Sequence, residues 1–142
     1  MDGYQPGLPD EWKQRIRSEG ADYILVTHGH FDHVNDLLSL ATLTSAKIVC
    51  QFDIVPWLTS KGVNEAQIIG FNKGGTIDLG GVKATMTHAT HSSSLYDDGV
   101  LVPMGTEAGF CSKWKTASWS ITLATAPLRP TCKSSARYTN PS

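Results

Sequence analysis

Cysteine is sparse in this chain. The three present, Cys50, Cys111 and Cys132, are an odd number with no CxxC pair, which argues against a disulfide framework. Long apolar runs are missing too. None approaches the roughly 20 residues of a bilayer span, and residues 1–20 lack the apolar core of a signal peptide. Charge excess is absent: the net is −1 over 142 residues, so no electrostatic pull toward nucleic acid or a membrane surface is expected. The length suits one domain and is short for two. A cytoplasmic protein with neither a nucleic-acid nor a membrane partner is the expectation.

One further absence is local. All thirteen acidic residues and all thirteen glycines lie at or before Gly109, while five of the twelve basic residues lie after it. From Cys111 to Ser142 about a third of the residues are Ser or Thr, and Trp114 and Trp119 sit there without a pattern. A disordered basic arm has such a composition, although tryptophan is unusual in one.

What is present before that break reads as α/β. Asp10 is placed to cap a helix running to about Ser18 and stopped by Gly20. The run Tyr23-Ile24-Leu25-Val26-Thr27 has the continuous apolar pattern of a strand buried on both faces. A helix is predicted over 34–44, a strand over 47–50, a helix over 54–61 with Pro56 in its first turn, and a third extended piece from Ile68. Gly80-Gly81 between two alternating arms signals a hairpin, with Val82, Ala84 and Met86 facing inward. Cys50 and Trp57 read as core, and Asp97 and Asp98 as turn residues.

The chemistry concentrates directly after the first strand. His28-Gly29-His30-Phe31-Asp32-His33 places four metal-binding side chains within six residues, on a loop at a strand's end. Imidazole nitrogen and carboxylate oxygen suit zinc, iron or manganese. A single loop histidine is usually polar surface; three with an aspartate in six residues mark a site. Alternate positions on an extended loop turn His28 and His30 to one side, while Asp32 and His33 aim elsewhere and can serve a second ion. The other two histidines, His88 and His91, follow the hairpin, and either could complete the first metal's coordination.

The segment Thr27-His28-Gly29-His30-Phe31-Asp32-His33 resembles the H-x-H-x-D-H signature of the metallo-β-lactamase superfamily. The run 22–27 before it, with Gly80-Gly81-Val82-Lys83, His91-Ser92-Ser93-Ser94 and Glu107-Ala108-Gly109-Phe110 after it, is similar to the metal-dependent hydrolase branch that includes ascorbate-6-phosphate lactonases. The resemblance implies a partial αβ/βα sandwich: a mixed sheet with flanking helices over residues 1–110. It implies up to two divalent ions, zinc foremost, with His28, His30 and His91 on the first and Asp32 and His33 on the second. It also implies a small-molecule substrate, a lactone, amide or phosphoester, hydrolysed by metal-activated water. Asp32 would be the catalytic residue that orients that water or takes its proton; His88 has no role in the match.

Residues 111–142 depart from the family, which expects there a strand ending in Ala-Gly-Asp and a later histidine. Read one base earlier with permissible codons, Ile121 to Thr125 becomes Y-H-A-G-D, and the missing acids and glycines return along the tail. The tail is therefore expected to be frameshifted or disordered, unable to extend the sheet, and the chain weakly active or inactive. The alternative is a non-catalytic fragment or interaction protein that retains a metal motif. Relatives acting on lipids share the hexapeptide, but no amphipathic membrane helix supports that reading.

Overall fold

The computed structural model describes residues 9–114 and 122–123. The chain runs α1 (Asp10–Glu19), β1 (Tyr23–Val26), α2 (Phe31–Val34), α3 (Leu37–Leu43), β2 (Lys47–Gln51), α4 (Val55–Ser60) and β3 (Ile68–Phe71). It continues through β4 (Thr76–Asp78), β5 (Val82–His88), β6 (Ser94–Asp97), β7 (Val100–Pro103), β8 (Ala108–Trp114) and β9 (Thr122–Leu123). This is the mixed α/β class read from the sequence.

Strands pair in three groups: a parallel sheet ordered β3-β2-β1-β9, an antiparallel sheet β4-β5-β8 and the hairpin β6-β7. Alternation along the central strands assigns the layers, since successive side chains leave opposite faces. Ile24 and Val26 of β1 join Ile48 and Cys50 of β2 in one core cluster, with Leu37, Leu40, Ile54 and Leu58 from the helical side. Leu25 and Val49 turn the other way, against Leu79 and Ala84 of the antiparallel sheet. The parallel sheet is thus covered on both faces, which is why β1 reads as an unbroken apolar run.

Several local expectations shift. Pro9, not Asp10, is the cap of α1; Asp10 and Glu11 occupy its first turn, where carboxylates favour the positive helix end. The single helix expected over 34–44 is two. His30 is extended at φ −66° and ψ 148°, so α2 begins at Phe31, and the chain re-enters helix at Leu37 after Asp36. Leu37, Leu40 and Ala41, spaced three and four residues apart on one face of α3, are buried together. The Gly80-Gly81 turn is as expected: both φ are positive, and the Asp78 carboxylate accepts both amide protons at 3.0 and 3.1 Å. A second hairpin turns at Asp98-Gly99, where Asp98 has φ 49° and Gly99 φ 80°.

The expectation that residues beyond Phe110 cannot extend the sheet is corrected. β8 pairs with β5 from His88↔Ala108 to Val82↔Trp114, and β9 lies parallel to β1. Backbone amides and carbonyls make these pairs whatever the side-chain pattern. Cys111 is disulfide-bonded, one crosslink that an odd cysteine count does not exclude, whereas Cys50 is a buried free thiol. The remainder of the stretch read as a tail lies outside the described residues.

Candidate metal centre

A parallel strand delivers its next residues to the sheet's carboxyl end, where ligands of open α/β sheets bind. Thr27, His28 and Gly29 follow β1 there and are buried, His28 with 4% of its surface exposed. Gly29 is needed for close approach: a Cβ there would lie 2.2 Å from the Met104 Cβ. The Gly29 amide donates to Ser93 Oγ at 3.0 Å, and that hydroxyl donates to the Met104 carbonyl at 3.0 Å. Ser93 therefore joins the first histidine loop to the segment after β5, 64 residues away.

This junction brings His91 to the β1 loop. Donor atoms of His28, His30 and His91 all lie within 4.8 Å of one another. The ring of His28 stands edge-on to those of His30 and His91, with centroids 4.7 and 4.8 Å away. The His28 Nε2 is buried without a hydrogen-bond partner among the described residues. A buried unpaired nitrogen carries a desolvation cost of about 1–3 kcal/mol. A cation would offset that cost, and a neutral imidazole nitrogen is the donor zinc takes. Zinc–nitrogen bonds near 2.1 Å place tetrahedral donors about 3.4 Å apart, so closing on an ion needs side-chain rotation, for which exposed His91 has room.

Electrostatics favour the neutral form of His28 and His33. Burial, reinforced by the neighbouring histidines His33, His30 and His91, pulls the His28 pKa down from 6.5 to about 4, against the opposing pull of Asp32. Burial likewise lowers His33, partly opposed by Asp32. A neutral imidazole has the lone pair that a metal requires.

Of the other sequence-predicted residues, His33 lies closer than expected. Its ring centroid is 3.9 Å from that of His28, because α2 starts early and one helical turn carries it back over the loop. Asp32 lies at the surface, its side chain 46% exposed and its Oδ2 3.6 Å from His33 Nε2. His88 ends β5 on the surface, outside the three-histidine group.

Three supporting residues were not singled out by sequence reasoning. Thr27 Oγ1 is 3.0 Å from His28 Nδ1, and Ser92 Oγ is 3.1 Å from His30 Nε2. Glu107 accepts the His91 backbone N–H, the first of the contacts that hold its carboxyl below the usual range. Thr27 lies next to His28 in the sequence, but Ser92 is 62 residues from the His30 it meets, so only the first contact left a local signal. Cys50 and Trp57 are core, as read. Burial pushes the Cys50 thiol up to about 12, and Trp57 also donates its indole N–H to Asp97. No helix among the described residues is long and apolar enough to cross a membrane.

Comparison with known proteins is consistent with this geometry. A family described as "Beta-lactamase superfamily domain" matches residues 4–125. The chain is 64% identical over 110 residues to a metal-dependent hydrolase of Roseiflexus sp., covering 78% of this chain and 45% of that protein. It is 51% identical over 110 residues to a metal-dependent hydrolase of Chloroflexus aurantiacus, covering 78% and 44%. Among solved structures, a metallo hydrolase from the hyperthermophilic archaeon Ignicoccus hospitalis aligns with TM-score 0.53 and 34% identity, over 66% of this chain and 37% of that one. The chain spans less than half the length of these relatives.

Proposed function

Because the chain belongs to the beta-lactamase superfamily domain family, we propose that it carries the first-metal half of a metal-dependent hydrolase site for a small-molecule lactone, amide or phosphoester. The observation that carries this reading is the buried His28 Nε2 without a hydrogen-bond partner, on a ring whose donor lies within 4.8 Å of those of His30 and His91. These three residues would hold the first divalent cation, with zinc the best match to three imidazoles and iron or manganese also compatible. Such an ion supplies Lewis acidity and lowers the pKa of water. Asp32 and His33 would serve a second ion, and the exposed Asp32 carboxylate would orient water or accept its proton.

The test is metal content followed by activity. The purified chain, loaded with zinc, iron or manganese, is assayed for bound metal by mass spectrometry and against a panel of lactones and phosphodiesters. The expected result is a metal stoichiometry that H28A and H30A abolish, with any hydrolysis lost in parallel. A folded chain that binds no more metal than those variants overturns the reading. Metal binding without turnover identifies instead the second reading, a non-catalytic interaction protein that retains the metal motif.

We also propose that residues 111–142 are encoded out of frame, the acidic and glycine content ending abruptly at Gly109. Reading the nucleotide sequence one base earlier decides it: Y-H-A-G-D at Ile121–Thr125 is the expected translation, and any other peptide there dismisses the idea.

A further inference from the structure

Two of the clustered imidazoles have one ring nitrogen engaged by a hydroxyl from a neighbouring residue in sequence or space. Thr27 Oγ1 meets His28 Nδ1 at 3.0 Å, and both residues are buried, 4% exposed each. Ser92 Oγ meets His30 Nε2 at 3.1 Å on the exposed rim. These two hydroxyls come from different segments, Thr27 from the end of β1 and Ser92 from the stretch after β5. We propose that Thr27 and Ser92 are positioning residues: each hydroxyl accepts the N–H of its histidine, leaving the other ring nitrogen unprotonated and turned toward the shared centre before any ion arrives.

The chemistry of imidazole makes this consequential. A neutral ring carries one N–H and one lone pair, and the partner of one nitrogen selects which tautomer is present. If Nδ1 of His28 carries the proton and donates it to Thr27, the buried Nε2 presents a lone pair. If instead Thr27 donates, Nε2 carries a proton aimed into the histidine cluster, and that proton must leave before a metal can bind. The first arrangement needs no proton release and fixes the ring plane. Hydrogen bonding to the non-coordinating nitrogen of a ligand histidine also raises its donor strength. The two hydroxyls differ in weight, because a buried hydrogen bond persists while one on an exposed rim competes with water.

This inference rests on the metal-site reading above, and the experiment separates the two. In the metal-free full chain labelled with nitrogen-15, long-range proton–nitrogen spectra report the tautomer of His28 directly. The expected spectrum has Nδ1 protonated and Nε2 with a lone-pair shift. A protonated Nε2 overturns the proposal without any variant being made. Zinc affinity is then measured by chelator competition for the wild-type chain and the variants T27V, T27S and S92A. T27V is expected to weaken zinc binding by about 10- to 100-fold, T27S to restore it, and S92A to cost less than T27V. Wild-type affinity in T27V overturns the proposal. If T27V fails to fold, a T27S chain that folds but binds zinc as weakly as H28A overturns it equally. Failure of the wild-type chain to bind zinc at all defeats the functional reading, while the tautomer still answers the question of positioning.

Discussion

Two stretches of chain meet at the histidine cluster, and they hold their histidines differently. Residues 27–29 are buried, Gly29 tight against Met104, at the end of a strand that is itself covered on both faces. His91 and Ser92 are exposed, and their segment is held by hydrogen bonds: Ser93 to Gly29 and to Met104, and Glu107 to the His91 amide. One half of the cluster is set by packing, which tolerates no added volume, and the other by polar tethers that side-chain rotation can accommodate. A site built this way has a fixed anchor and an adjustable third donor.

The sharpest test of that contrast is to remove one histidine from each half. H28A is expected to lower zinc affinity by more than about 100-fold, beyond what loss of a supporting hydrogen bond costs, and H91A to lower it less, both measured by chelator competition. Equal losses would break the comparison. Next in size, G29A should destabilise the chain by about 3 kcal/mol in urea unfolding, since the new Cβ meets a Met104 Cβ that no rotamer change can move. Unaltered stability would show that the packed half is not packed.

S93A attacks the tether and should cost about 1–3 kcal/mol, because it removes two hydrogen bonds and strands the Gly29 amide. A pH series without metal probes the anchor again. His28 and His33 have pKa values lowered by folding, so the unfolded state binds the extra protons and stability falls with acidification. For His28 the loss starts near pH 6.5 and runs down through about 4, at up to about 1.4 kcal/mol per pH unit for its one proton. H28Q should flatten that slope; an unchanged slope would place the titration elsewhere. The smallest effect belongs to H88A. That exposed residue lies outside the cluster, so stability should stay within about 0.5 kcal/mol of wild type and zinc affinity should not change.

Much of the fold was legible locally. The apolar run at Tyr23–Val26 announced a doubly covered strand, and Gly80-Gly81 announced a turn, because burial and backbone sterics act within a few residues. The division of the expected 34–44 helix was not legible. No Gly or Pro marks Asn35 or Asp36, and the departure of Asp36 to φ −89° and ψ −3° has no local signal in the sequence. The Asp98-Gly99 hairpin was signalled by a turn dipeptide, though its exposed Tyr96 and Leu101 are as apolar as the inward Leu95 and Val102, so no alternation marks its inner face. At the site, the residue types were visible, whereas the contacts of Thr27, Ser92 and Glu107 were not, since such residues are common in loops.

Sequence alone determined the donor inventory: three imidazoles and a carboxylate packed into one loop, preceded by a strand apolar enough to be buried. Those features depend on covalent order and on short-range sterics. The residue pattern left His88 and His91 open and the family resemblance implied His91; only the tertiary structure brings His91 beside His28 and His30 and folds His33 back onto His28. Those choices turn on where a strand ends, which way a helix starts and whether Met104 fits over Gly29. They are settled by packing between segments far apart in the chain, where no local pattern reaches.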